Sequence, residues 1–303
     1  MGGPMSVRMP PHNLGSRMPK LSLSQLGFPH TTLQDDIDIA KDLGLDGIGL
    51  IGAKTDEADR EATAKQLQAE NLQAAVCAPK LFSILPQPNV ARFPGPQGVT
   101  ERVEEIASGI KRLAIFKPEV LCCVTGPAGD RSEGAARKIV IESLRELGRT
   151  AAQIGARIGL EPMRADVRGD WTIVSSLKET NELLDEVGDE RVGILFDIWH
   201  MWDSADVQRD LPGAIERVVG VQISDYRIPN RGPRDRLIAG DGVAGVAGFL
   251  RTFREKGYDG WYDMEVFSDD GRFGCAYPDS LWKLPPREYA QRQIDGFYRC
   301  WNE

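Results

Sequence analysis

The chain has 303 residues, with 45 acidic against 37 basic side chains and a formal charge of −8. That balance argues against a nucleic-acid surface, which needs clustered Lys and Arg, and suits a neutral polar substrate or a bound cation. No apolar run approaches the roughly 20 residues that cross a membrane, so no membrane partner is expected. The length accommodates one α/β barrel of about 250 residues with additions.

Residues 1–20 are rich in Pro, Gly and Met and lack an apolar signal core, so we expect a flexible N-terminal segment rather than a secretory leader. From residue 21 the pattern alternates. A strand is expected at 21–28, then a helix at 32–43 with Asp35 and Asp36 in its first turn. A strand at 45–51, a polar helix at 56–70 and a strand at 72–78 follow. Residues 84–97 hold four prolines and read as a long loop over the barrel mouth. Next come a helix at 98–116, a strand at 120–124, a helix at 134–154 and a strand at 157–161. The second half continues with a helix at 176–187, a strand at 192–197, a short helix at 211–218 led by Pro212, and a strand at 219–223. A loop at 224–245 carries Arg227, Arg231, Arg234 and Arg236. A helix at 246–256, a strand at 261–266 and a C-terminal helix at 286–301 complete the chain.

Eight apolar strands alternating with helices imply parallel strands joined by right-handed crossovers. Eight units favour a closed (β/α)8 TIM barrel, a single domain over residues 21–303 with a C-terminal helical extension. The extension carries Trp282, Tyr289, Phe297, Tyr298 and Trp301, and either covers the barrel bottom or forms a homo-oligomer contact. No Gly-x-Gly-x-x-Gly follows the first strand, so a dinucleotide site has no support. Cys77, Cys122, Cys123, Cys275 and Cys300 make no Cys-x-x-Cys pair, which suits reduced thiols in a cytoplasmic protein.

Polar residues punctuate four consecutive strand ends: Glu161, Asp197, Gln222 and Glu265. In an α/β barrel those ends converge on the catalytic face. Three carboxylates gathered in a low-dielectric mouth repel one another unless a cation neutralises them. Three carboxylates and an amide oxygen form a hard donor set, suited to one Mn²⁺ or Mg²⁺. His200 stands three residues after Asp197 and is either a structural hydrogen-bonder or a catalytic group. Trp199, Trp202 and Tyr226 either stack on a sugar face or pack in the core. Each carboxylate alone could equally be a helix cap or an ion-pair partner.

The motifs Leu160-Glu161-Pro162, Phe196-Asp197-Ile198-Trp199-His200, Val221-Gln222-Ile223-Ser224-Asp225, Gly240-Asp241-Gly242 and Gly257-Tyr258-Asp259-Gly260 with Met264-Glu265 resemble the xylose isomerase-like barrel superfamily. Its members include sugar phosphate isomerases, ketose epimerases, inosose isomerases and dehydratases, dehydroshikimate dehydratases and endonuclease IV. The resemblance implies a divalent cation held by Glu161, Asp197, Gln222 and Glu265. It implies proton transfer next to a carbonyl by Glu161 and Glu265, through a metal-stabilised enediolate, with His200 catalytic or contacting substrate. Trp199, Arg227 and Asp225 are the further candidates for holding a small carbohydrate. The expected activity is sugar isomerisation or epimerisation. Gln222 replaces the His usual in epimerases, and Val167 stands where many of them carry a second Glu, so a dehydratase or lyase is the close alternative. A non-catalytic partner subunit is the third reading. The nuclease branch needs many histidines, and this chain has His12, His30 and His200.

Overall fold

The computed structural model describes residues 18–56, 58–89 and 94–303. Most of the expected N-terminal segment, residues 1–17, lies outside them, as does part of the proline-rich loop.

The strands form one parallel ring. The first, Lys20–Ser24, pairs with the second, Gly47–Gly49, and with the eighth, Trp261–Met264. The fourth to seventh are Val120–Cys123, Arg157–Leu160, Val192–Asp197 and Val218–Ile223. The third is divided at Ala75. Gln73–Ala74 pairs with the second strand, and Val76–Cys77 pairs with the fourth. Counted as separate segments these make a nine-stranded sheet. Counted as halves of one strand they close an eight-stranded barrel of the kind that the alternation anticipates.

Helices surround the ring, and the sequence explains their limits. Helix Leu33–Asp42 opens on a capping box in which Thr32 and Asp35 each bond the other's main-chain N–H. Helix Leu177–Val187 starts on Ser176 and stops at Gly188, whose φ of 64° favours a residue without a side chain. Helix Val99–Leu113 buries Val103, Ile106, Ile110 and Leu113 on one stripe, as its 3.6-residue spacing requires. Several elements differ from expectation. The second strand keeps only Gly47–Gly49 of the expected 45–51, and the helix expected at 56–70 begins at Arg60, after a separate short helix, Gly52–Thr55. The helix expected at 211–218 runs instead from Val207 to Ala214, so Pro212 sits in its last turn rather than its first. The first strand is shorter than expected, ending in a 3-10 turn at Gln25–Gly27.

The interior of the ring is filled by Val76, Val120, Leu195, Val219 and Trp261. The Trp261 ring takes the space beside the second strand because Gly47 has no side chain. A Cβ there would lie 2.8 Å from the indole. The larger apolar core lies between strands and helices. The C-terminal helix Pro286–Trp301 packs against helices Val246–Glu255 and Leu33–Asp42. It therefore takes the place of the eighth helix of the ring, with Tyr289, Phe297 and Trp301 as its buried face. The aromatic run expected to be an extension is part of the barrel wall.

Candidate metal centre

Strand geometry gathers the four polar ends. Asp197 is the last residue of the sixth strand and lies in register with Gln222 of the seventh. Glu161 and Glu265 each stand one residue past the fifth and eighth strands. Their main-chain N–H groups still bond the neighbouring strand, to the carbonyls of Cys123 and Ile223. Period-2 alternation then turns these side chains inward at one level. Glu161, Asp197, Gln222 and Glu265 are 4% exposed or less.

Within the cluster, Gln222 Nε2 donates to Glu265 Oε1 at 2.8 Å. That leaves Gln222 Oε1 buried without a hydrogen-bond partner, a costly state for an amide oxygen. Asp197 caps the short helix Ile198–Met201, its Oδ1 accepting the Trp199 N–H at 2.8 Å. Glu161 has the weakest partners. The Cys122 thiol donates to its Oε2 at 3.7 Å, and His200 Nε2 stands 3.7 Å from Oε1. His200 Nδ1 accepts the Arg164 N–H at 3.3 Å. The other ring nitrogen, Nε2, stands 3.4 Å from Arg236 Nη2 and faces Glu161 and, at 3.8 Å, Asp197 Oδ2.

A residue not singled out from the sequence sits at the middle. Arg236 Nη1 donates to Asp197 Oδ2 at 2.8 Å, Glu265 Oε2 at 3.1 Å and Ser224 Oγ at 3.2 Å. Its guanidinium lies between the rings of Trp199 and Phe267, 4.8 and 4.6 Å from their centroids. Residues Arg236–Leu237 reach this position by pairing antiparallel with Asp225–Tyr226.

Three carboxylates against one guanidinium would leave two negative charges in a closed space if all were ionised. The acidities register this. Burial, followed by the charges of Asp197 and Glu265, raises Glu161 well above the usual carboxylate range. Burial pushes Glu265 up to about 8 against the pull of Arg236. Asp197 is raised by burial and drawn back by Arg236. Burial opposes the charge of Arg236, but the three carboxylates outweigh it and keep the guanidinium protonated. Burial and the charges of Arg236 and Arg164 hold His200 well below its ordinary range, so the imidazole is neutral.

The residues fit a divalent cation. Three buried carboxylates lie around one guanidinium, beside a Gln222 Oε1 that has no hydrogen-bond partner, and these donors are hard oxygens. Glu161, Asp197 and His200 also offer ligand atoms within 4.8 Å of one another. Glu161 and Asp197 belong to both sets, with His200 completing the one and Gln222 and Glu265 the other.

The other sequence candidates have different places. Trp199 is buried and packs edge-on to His200, with Tyr226 beside it and Trp202 on the far side of Tyr226. Asp225 is filled by main-chain N–H groups of Tyr226, Gly240, Gly242 and Ala244, so its role is to fold the loop. Arg227 stands outside the cluster, paired with Asp235 at 3.2 Å and Asp279 at 2.9 Å. Besides Arg236, sequence reading passed over Cys122 and Asp263. Asp263 lies one inward step before Glu265, accepts from Ser22 at 2.5 Å, and is pushed by burial up to about 7. Alternation along the strands would have turned both inward. Among four loop arginines, nothing in the spacing distinguished Arg236.

The family described as a xylose isomerase-like TIM barrel matches residues 37–300. A D-psicose 3-epimerase of Enterocloster bolteae is 26% identical over 143 residues, 47% of this chain and 42% of that protein. A 3-dehydroshikimate dehydratase of Pseudomonas putida is 26% identical over 144 residues, 45% of this chain and 21% of that protein. The chain thus spans less than half the length of these curated relatives. A solved structure of the IOLI protein with a binding zinc atom superposes with a TM-score of 0.76 at 16% identity, over 93% of this chain and 98% of that one. Among the described residues, no helix is long and apolar enough to cross a membrane.

Proposed function

Because the chain belongs to the xylose isomerase-like TIM barrel family, we propose that it is a divalent-cation-dependent isomerase or epimerase of a keto-sugar, moving a proton on a carbon next to the carbonyl. The observation that carries this reading is the buried cluster of Glu161, Asp197 and Glu265 around Arg236, with Gln222 Oε1 left without a donor. Glu161, Asp197, Gln222 and Glu265 would hold the cation. When bound, it polarises the substrate carbonyl and makes the neighbouring C–H more acidic.

The protein's own groups then divide the work. Glu161 is the carboxylate with the weakest hydrogen-bond partners and, once ionised, would take the carbon-bound proton. Glu265 is held by Gln222 and Arg236, and returns a proton from its own side of the site. His200 turns Nε2 toward the same carboxylates and would contact a substrate oxygen. Trp199, Trp202 and Tyr226 form an aromatic cluster beside it, with the Arg164 guanidinium over Trp199 and Tyr226. The enclosure keeps water from the carbanionic carbon.

A metal-dependent dehydratase or lyase is the second reading. Gln222 at the seventh strand favours it, as does the likeness to a 3-dehydroshikimate dehydratase. The two share proton removal and differ in what leaves. Proton NMR of the Mg²⁺-loaded protein in D₂O separates them, with ketoses, inososes, 3-keto-glycosides and dehydroshikimate as substrates. Deuterium entering beside the carbonyl with the skeleton intact supports the isomerase. A new vinylic signal supports the lyase. No exchange with Mg²⁺ or Mn²⁺ rejects both and favours a non-catalytic barrel.

A further inference from the structure

Arg236 is an unusual neighbour for a cation site. Its guanidinium touches two of the four residues that would hold the ion, Asp197 and Glu265, through one nitrogen. It cannot swing aside easily. Its main-chain N–H bonds the Phe267 carbonyl at 2.8 Å. Trp199 and Phe267 close on either face of the guanidinium. The preceding residue, Asp235, is buried in an ion cluster. Arg231 meets it through two bonds of 2.6 and 2.7 Å, and Arg227 at 3.2 Å. Asp279 links the same two arginines from the segment beyond the eighth strand. Tyr277 closes the cluster by donating to the Arg231 carbonyl at 3.1 Å.

We propose that Arg236 is a resident cation of the centre. It holds Asp197 and Glu265 in place before a divalent ion arrives, competes with that ion for the same two carboxylates, and so sets how tightly the ion is held. The ion cluster around Asp235 acts as its anchor. This rests on reading the centre as a cation site. Two like charges drawn to the same carboxylates in a poorly screened interior repel strongly, so an ion that enters works against Arg236. Among the described residues, Arg236 is the cation that forms ion pairs with Asp197 and Glu265, and losing it leaves buried carboxylates facing one another.

The test uses Arg236→Met, which keeps an apolar stem between Trp199 and Phe267, with Arg236→Lys as the conservative control. Isothermal titration of chelator-treated protein with Mn²⁺ at pH 8 gives affinity and stoichiometry, and thermal melts give the stability of each form. Native protein is expected to bind one Mn²⁺. Arg236→Met should bind it at least tenfold more tightly and melt lower than native when metal-free, while Arg236→Lys stays within about threefold of native. A variant that folds only in the presence of Mn²⁺ also supports the inference. Should Arg236→Met not fold in either state, Phe267→Leu decides. It removes one ring from the guanidinium and should tighten Mn²⁺ binding by a smaller factor. Unchanged or weaker Mn²⁺ binding in a folded Arg236→Met overturns the inference and leaves the cation reading standing. Native protein that binds no Mn²⁺ overturns both.

Discussion

Two of the places where carboxylates are buried are solved differently. Beyond the first and second strands, Asp36 is fully enclosed. It accepts from Lys54 at 2.6 Å, from Gln25 at 2.7 Å and from Thr31. Lys54 also bonds the Phe28 carbonyl and the Thr31 hydroxyl. One acid meets one base, and every group is supplied. Beyond the fifth to eighth strands, three acids meet one guanidinium, and an amide oxygen has no donor. The fold can thus neutralise a buried acid when that is all it needs. Where acids outnumber the base, they are neutralised by protons or by a cation from outside, and that contrast is the physical case for a bound cation.

The contrast can be broken from either side. The largest effect is expected from Glu161→Gln, which keeps shape but cannot accept a proton. Turnover of an accepted ketone should fall about a thousandfold, with the circular dichroism spectrum unchanged. Retained turnover would remove Glu161 from the chemistry. On the balanced side, Lys54→Met strands Asp36 in the interior and should cost about 3–5 kcal/mol in urea unfolding. Mn²⁺ affinity should stay within twofold of native, and a large change would mean that the two clusters are coupled.

Chelation sharpens the comparison. An ion present at about one hundred times its dissociation constant stabilises by about 2.7 kcal/mol, so EDTA should lower the melting temperature of native protein by several degrees. The smallest effect lies in acid. Burial raises Asp36 above its ordinary value in spite of Lys54. The folded state therefore holds that proton more firmly than the unfolded chain. The contribution is complete below the ordinary carboxylate range and is lost as pH rises through the raised value. Asp36→Asn should flatten that part of the stability profile, and an unaltered profile would exclude Asp36 as its source.

How much was legible in the sequence follows the same division. Alternating strands and helices are local patterns, and they placed the ring and its four polar ends. Asp197 and Gln222 emerge side by side because strand register is set by the same apolar alternation. Arg236 was not legible, because its place depends on an antiparallel turn with Tyr226 and on Phe267, 31 positions further along. The distinction between Arg227 and Arg236 is likewise tertiary. One is engaged by Asp235 and Asp279 at the rim, the other by Asp197 and Glu265 inside. Pro212 misled for a related reason. Proline is favoured in a first turn by its own geometry, but here the helix begins earlier and ends with it.

Depth also governs time. Glu161, Asp197, Gln222 and Glu265 expose 4% of their surface or less, so an ion seated among them would need local opening to leave. Its escape to a chelator should then proceed at the pace of that opening, one rate at every excess of chelator. An enzyme built this way would carry its ion through many turnovers and many dilutions, and would answer to the metal supply at the time of folding more than at the time of use.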